Sequence, residues 1–214
     1  MDGAGTKRAE RWSGSRLWLR WVGATALGVV LAFAAFVVIF SITGDPGDSL
    51  FPVLMIGFGL AIGSFQQRVL RQTLGDARRW ALATGVGLGA GMALAVAMGL
   101  GETPGLGAQI TQGAVAGALA GTAIGTVQWR VLRTRLPGAR WWVAASIAGW
   151  AAGAAAGDAA AYFVEGLDLM VAPVIAASVT GIALVGLIGS RPVDTPQAAQ
   201  LPPTALVERA WRSR

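Results

Sequence analysis

The 214-residue chain contains no cysteine and no histidine. Their absence excludes disulfides, thiol chemistry, zinc sites built from Cys and His, haem held by either residue, and general-base catalysis by imidazole. Charge is also scarce, since 13% of the residues are charged whereas 54% are hydrophobic. This composition is too apolar for a soluble domain of such length and indicates a membrane protein.

Long apolar runs alternate with short polar turns that are rich in Gly and Pro. A helix needs about 20 residues to cross the hydrocarbon core of a bilayer, and every run except the second reaches that length by itself. The sequence therefore predicts an all-α bundle of six transmembrane helices. The six runs cover residues 17–42, 50–65, 80–100, 108–129, 141–164 and 169–189.

The basic residues are confined to alternate connections. All 17 Lys and Arg residues lie within 7–20, 68–79, 130–140 and 191–214, whereas the three other turns carry acids and no base. Because cytoplasmic loops are enriched in Lys and Arg, both termini are predicted to be cytoplasmic. Membrane orientation and anionic headgroups on the cytoplasmic side then account for the net charge of +6, and no nucleic-acid partner is expected.

One short pattern, Trp-x-x-Ala-[Thr/Ser]-x-x-Gly, occurs three times and begins at Trp21, Trp80 and Trp142. Its four defined positions share one face of a helix. Copies about 60 residues apart predict three tandem two-helix repeats in parallel orientation. These repeats form either a ring about an axis along the membrane normal or an open row of hairpins. They cover about residues 17–71, 80–133 and 141–191.

Two tails flank the predicted six-helix domain, which spans residues 17–190. Residues 1–16 are predicted to be a cytoplasmic basic tail, and the first apolar run is too long for the core of a signal peptide. Residues 191–214 are predicted to be a second cytoplasmic tail, because a Pro pair and a polar run separate them from the last helix. Within that tail, residues 205–212 form either a short amphipathic helix or a disordered end.

Glycines recur at intervals of four along three of the apolar runs. In lipid, close approach of backbones through small-xxx-small faces takes the place of a hydrophobic force between helices. The glycines are therefore interpreted as packing surfaces, with a pore lining as the alternative, and the stripes of the fourth and fifth helices are expected to face each other. The glycines are Gly87 and Gly91, then Gly113, Gly117, Gly121 and Gly125, then Gly149, Gly153 and Gly157.

The inward helix of each repeat ends with a glycine and, five positions later, an arginine. Arginine can reach lipid phosphate, and the adjacent glutamines Gln66 and Gln128 can bridge helices. The arginines are interpreted as interfacial anchors that contact headgroups, with a site for a phospholipid or another ligand at the inner face as the alternative. The glycine and arginine pairs are Gly63 and Arg68, Gly125 and Arg130, and Gly186 and Arg191, with Arg71 and Arg133 one turn further along.

Most tryptophans of the apolar region lie at the cytoplasmic ends of the predicted helices. An amphipathic indole ring is favoured at the membrane interface. The tryptophans are therefore expected to form an anchoring belt, with a stacked aromatic ligand site as the alternative. They are Trp18, Trp21, Trp80, Trp129, Trp141 and Trp142.

Asp158 is the one ionisable residue well inside a predicted span. A carboxylate at membrane depth is costly and is by default a functional candidate. Tyr162 and Glu165 follow at i+4 and i+7, so a helix continuing through them would present all three on one face. Two interpretations remain open: an ion or proton site, and an aspartate that hydrogen-bonds a neighbouring helix or water near the outer surface.

The stretch Gln-x-Arg-Val-Leu-Arg…Ala-Arg-x-Trp-x-x-Ala-[Thr/Ser] resembles a loose group of uncharacterised bacterial polytopic membrane proteins. Those proteins repeat a Gln-Trp-x-x-Leu-Arg…Trp-Trp pattern between Gly-rich helices. The resemblance covers about residues 57–92 and 119–154 and implies no activity. Mitochondrial-type carriers also have three two-helix repeats, but their Pro-x-[Asp/Glu]-x-x-[Lys/Arg] signature is absent here.

Known catalytic signatures are also absent, because the sequence has no nucleophile elbow, Walker motif, HExxH or EF-hand loop. The sequence predicts a non-catalytic protein without cofactor or metal, serving as an accessory or scaffold subunit of a membrane complex. It would contact a membrane-protein partner or a second copy of itself. The alternative is a small ion- or proton-coupled transporter or channel that uses Asp158. The excess of Arg over Lys suggests a GC-rich bacterium, and hence the bacterial inner membrane.

Overall fold

The computed structural model describes residues 14–44, 47–100 and 105–190. In these ranges every regular element is an α-helix, as the composition and periodicity predict. The N-terminal tail, Arg191 and the predicted amphipathic segment lie outside the described residues. The helices are α1 (Gly14–Thr43), α2 (Gly47–Leu74), α3 (Trp80–Ala97), α4 (Leu106–Leu132), α5 (Trp141–Ala161) and α6 (Asp168–Gly189).

The six helices close into a ring. Each helix packs against its neighbours in the chain, and α1 packs against α6. In the part of the chain that the structure describes, the backbones of helices that are not neighbours in this ring do not approach each other closely. Of the two arrangements that the sequence leaves open, the structure therefore has the ring and not the open row.

Five helices are long and apolar enough to cross a membrane, namely α1, α3, α4, α6 and residues Leu50–Leu74 of α2. The second apolar run, which is too short by itself, reaches spanning length because its helix continues through Gln66 and Gln67 to Leu74. The fifth run, in contrast, is less apolar than expected because α5 consists largely of Ala, Gly and Trp. Helix α5 still lies within the ring, between α4 and α6.

Glycines allow the helices of the ring to approach closely. The α4 stripe lies against α5, where a Cβ added at Gly121 would be 2.5 Å from the carbonyl oxygen of Ser146. The α5 stripe lies instead against α6, and a Cβ added at Gly149 would be 3.0 Å from the carbonyl oxygen of Ala176. The expectation that the two stripes face each other is therefore wrong. The residues of α5 that meet α4 follow its glycines by one position, which is about 100° around the helix.

Apolar side chains fill the ring at two levels. One cluster surrounds the buried tryptophans at the end of the ring that carries the arginine-rich connections 75–79 and 133–140. The other lies further along the axis and includes Val29, Met55 and Phe58. The interior between them contains the buried polar side chains, which form the candidate site.

Candidate functional site

Three tryptophans meet at the centre of the ring. The ring centroids of Trp21, Trp80 and Trp142 are 5.5–5.8 Å apart, and each pair packs edge to face. Each of these side chains is at most 1% exposed. The prediction of an interfacial belt is therefore wrong for these three, because the repeated stripe turns them toward the axis. Only Trp141 is largely exposed among the described members of the expected belt, at 63%.

The first hydrogen-bonded relay joins α1, α2 and α3. Trp80 donates its Nε1–H to Gln66 Oε1 at 3.0 Å, and Gln66 Nε2 donates to Thr25 Oγ1 at 2.9 Å. Thr25 in turn donates to the carbonyl oxygen of Trp21, four residues earlier. Gln66 therefore bridges two helices, which is one of the roles that the sequence suggests for it.

A second relay repeats this arrangement across α3, α4 and α5. Trp142 donates its Nε1–H to Gln128 Oε1 at 2.8 Å, and Gln128 Nε2 donates to Thr84 Oγ1 at 2.9 Å. Thr84 donates to the carbonyl oxygen of Trp80. In both relays the tryptophan follows its glutamine by 14 residues. Burial of these polar groups is tolerable because each of them has a partner.

The third position of the ring has a different hydrogen-bond arrangement. Trp21 donates its Nε1–H to Thr180 Oγ1 at 3.2 Å, and Thr180 donates to the carbonyl oxygen of Ala176 at 2.8 Å. Ser146, which stands where the other relays have Thr25 and Thr84, is 0% exposed. Its Oγ has no hydrogen-bond partner among the described residues.

The packing shows why Thr180 occupies this position. Ile62 packs on Gly28 and Ile124 on Gly87, and each glutamine lies four residues after its isoleucine. Ala176 packs on Gly149 in the same way, and Thr180 lies four residues after Ala176. The sequence pattern aligned Gly186 and Arg191 with Gly63 and Arg68. That alignment is wrong, because the packing matches Thr180 with Gln66 instead. A Cβ added at Gly186 would meet nothing within 4 Å.

A cavity lies on the ring axis beside Ser146. The centre of a water molecule can occupy a volume of about 20 Å³ in this cavity. All six helices contribute residues to the cavity wall. Its apolar side includes Ile62, Ile124, Trp150 and Pro173. Its polar side consists of Thr25, Gln66, Thr84, Gln128, Ser146 and Thr180.

Asp158 lies near the opposite end of α5 from the tryptophans. Its carboxylate contacts Gly113 of α4 and lies near Asp168. The expected stripe with Tyr162 and Glu165 does not form, because α5 ends at Ala161. Both of those side chains are exposed, and the Tyr162 ring packs on Phe163.

The arginines predicted to contact headgroups are exposed at the tryptophan end of the ring. This holds for Arg68, Arg71, Arg130 and Arg133. Arg68 lies over the Phe65 ring at 4.9 Å, and Arg133 lies over the Trp129 ring at 5.2 Å. Cation–π contacts of this kind hold the guanidinium group beside an aromatic anchor.

Comparison with known proteins found no matching family model, no matching curated protein and no matching solved structure. The resemblance to uncharacterised bacterial membrane proteins stays a prediction.

Sequence reasoning identified the tryptophans and the bridging glutamines, but it missed Thr180 and the role of Ser146. The Thr/Ser position of the repeated pattern was the available signal for Ser146. Thr180 has no comparable signal, because α6 carries neither glutamine nor isoleucine at the positions that match Gln66 and Ile62.

Proposed function

We propose that this chain is a non-catalytic integral membrane protein that acts as a rigid accessory or scaffold subunit of a membrane complex. The observation that carries the proposal is the filled interior of the ring. The tryptophan cluster occupies one level and the cluster around Val29 and Phe58 another, with a cavity the size of about one water molecule between them. Such packing favours a fixed shape over a conduit.

Three tandem hairpins in parallel orientation account for the layout of the ring. The two complete relays support this proposal, because they place equivalent residues of successive hairpins in the same contacts. Hairpins of equal orientation place every arginine-rich connection at one end of the bundle. By the positive-inside rule that end faces the cytoplasm of a bacterium, with both termini on the same side.

The proposed partners are anionic lipid headgroups on the cytoplasmic side and a second membrane protein or another copy of this chain. The exposed guanidinium groups of Arg68 and Arg133, each beside an aromatic ring, support the headgroup contact. Helix α1 supports a contact with another membrane protein. Only 22% of its 18-residue apolar segment is buried in the ring, whereas 50% of the corresponding segment of α3 is buried. Its outward side chains include Leu27, Val30 and Val38.

Purification in a gentle detergent, followed by reconstitution into liposomes, tests this function. We expect the tagged chain to co-purify with a defined membrane protein or to elute as a self-associated species. The reconstituted protein should then produce no more proton or cation flux than protein-free liposomes. A monomer with no partner and with ion-dependent flux would contradict the scaffold proposal.

A small ion- or proton-coupled transporter is the second candidate function. It is favoured by the position of Asp158, whose carboxylate lies at the α4–α5 contact beside Gly113 and near Asp168. Two neighbouring carboxylates share protons or bind a cation more readily than one. The flux measurement above separates this candidate from the scaffold.

A further inference from the structure

Ser146 is the least satisfied polar side chain of the buried layer. Its hydroxyl is fully buried, lines the axial cavity and has no partner in the described part of the chain. A buried hydroxyl without a hydrogen bond destabilises a protein, and more so in a membrane. The equivalent hydroxyls of Thr25 and Thr84 both accept a hydrogen bond from a glutamine amide.

The cavity exists because the third repeat has smaller side chains. Thr180 takes the place of a glutamine, and Ala176 takes the place of an isoleucine. Thr180 Oγ1 accepts the hydrogen bond from Trp21, as a glutamine oxygen does in the other relays. Threonine has no amide group, however, and so it cannot donate to Ser146 as glutamine would. The space left over is about 20 Å³, and a single water molecule needs about 10–15 Å³ by the same measure.

The lining offers the hydrogen-bond groups that a water molecule requires. Ser146 Oγ can both donate and accept, and Thr180 Oγ1 keeps a second lone pair. Gln66 and Gln128 each use one amide N–H for a threonine, which leaves the other N–H. A buried water typically makes about three hydrogen bonds, and these groups are sufficient for that number.

We propose that the axial cavity is a binding site for one water molecule, which hydrogen-bonds Ser146 Oγ and completes the third relay in place of the missing glutamine amide. The site is neutral, and its lining includes the tryptophans Trp21 and Trp142 and the isoleucines Ile62 and Ile124. It therefore selects an uncharged ligand of water size over an ion. The proposal stands whether or not the chain is a scaffold.

Ser146→Ala tests the site, with Ser64→Ala as the matched control. Ser64 is an exposed helical serine whose hydroxyl bonds only to its own helix, at the carbonyl oxygen of Leu60. If water holds the Ser146 hydroxyl, Ser146→Ala should lower Tm by about 2 °C or more relative to the control. If the hydroxyl has no partner, its removal should leave Tm unchanged or raise it, and the proposal is overturned.

Thr180→Gln supplies an independent measurement, because the longer amide should enter the cavity and displace the water. In wild-type protein in detergent, we expect magnetisation transfer between a long-lived water and the indole N–H of Trp21 or Trp142. This signal should disappear in Thr180→Gln, while the Tm is kept or raised. A wild-type protein without the signal, or a variant that retains it, would show that no water occupies this site.

Discussion

At the scale of single residues, Trp80 and Trp142 each depend on a glutamine that precedes them by 14 residues. The indole N–H would be unpaired in an apolar core, and the glutamine oxygen gives it a partner from the preceding helix. The amide nitrogen of the same glutamine donates a hydrogen bond to a threonine of the helix that precedes the glutamine's own helix. Each glutamine therefore joins three helices, which makes it the most sensitive polar residue of the layer.

We expect Gln128→Leu to lower the free energy of unfolding by about 1–2 kcal/mol, because leucine leaves the Trp142 N–H unpaired and removes the hydrogen bond that Thr84 Oγ1 accepts. Thermal unfolding in detergent, followed by tryptophan fluorescence, measures the change. Gln72→Leu is the control, since Gln72 is exposed and accepts one hydrogen bond from Arg20. Equal stability of the two variants would mean that the relay contributes nothing to folding.

Asp158 separates the two candidate functions. If it bridges helices, Asp158→Asn should keep the fold, and Asp158→Leu should lower stability by about 0.6–2 kcal/mol, the range for polar contacts between membrane helices. We expect this result, together with unchanged background flux in liposomes. A wild-type proton or cation flux that Asp158→Asn abolishes would instead favour the transporter, because the amide has the same shape but cannot ionise.

At the scale of helices, glycines set how close neighbouring backbones come. A Cβ added at Gly28 would lie 2.6 Å from the Cα of Ile62, and one added at Gly59 would lie 2.8 Å from the Cα of Gly85. Backbone atoms cannot move aside as a flexible side chain can. These contacts between neighbouring helices therefore require a glycine at a definite position.

We expect Gly117→Leu to destabilise the bundle by about 1–3 kcal/mol or more, because the added side chain would collide with the α5 backbone at Trp150 and with Ala154. Gly57→Leu makes the same chemical change in α2, where a Cβ would meet nothing within 4 Å, so its unfolding temperature should not fall. Chemical or thermal unfolding in detergent compares the two. If both variants melt like the wild type, the α4 stripe does not form a tight contact with α5.

At the scale of the whole molecule, closure depends on the contact between the first and last helices. A Cβ added at Gly14 would lie 2.8 Å from Val185 Cγ1, and Trp18 donates its Nε1–H to the carbonyl oxygen of Ser178. These contacts bring together segments about 160 residues apart in sequence. Closure removes the two free ends that an open row of hairpins would leave exposed to lipid.

Because the chain has no cysteine, a pair of introduced thiols can test closure directly. We expect the double variant Gly14→Cys/Val185→Cys to be joined within one chain by a short thiol-bridging reagent, as read by mass spectrometry after proteolysis. The pair Gly14→Cys/Thr134→Cys should not be joined, because the backbones of α1 and α4 do not approach each other closely in the ring. Cross-linking of both pairs, or of neither, would contradict the closed arrangement.

Orientation in the membrane is tested with single cysteines and an impermeant thiol reagent applied to intact cells. Positions 48, 102 and 166 should react from outside, whereas Gln72 and Thr134 should react only after the membrane is opened. Gln72 and Thr134 lie at the same end of the bundle as the arginine-rich connections, and loops rich in arginine face the cytoplasm. The reverse labelling pattern would place the tryptophan cluster near the outer face.

The helical class, the positions of most helices and the repeated face on which Trp21, Trp80 and Trp142 lie could all be predicted from the sequence. These properties follow from local periodicity and composition, which are present in the chain before it folds. The sequence also marked Gln66 and Gln128 as groups able to bridge helices. It could not determine whether the tryptophans face lipid or the axis, because both positions satisfy an amphipathic ring.

Three features became visible in the folded molecule alone: the tryptophans meet at the axis, the α4 and α5 stripes contact different helices, and Thr180 replaces a glutamine. Each of these depends on how helices rotate against distant neighbours. A rotation of about 100° exchanges one face of a helix for another without any change in the pattern along the chain. The substitution at Thr180 became recognisable only because Ala176 packs on Gly149 as Ile62 packs on Gly28. Spatial equivalence, and not sequence spacing, identified the incomplete relay.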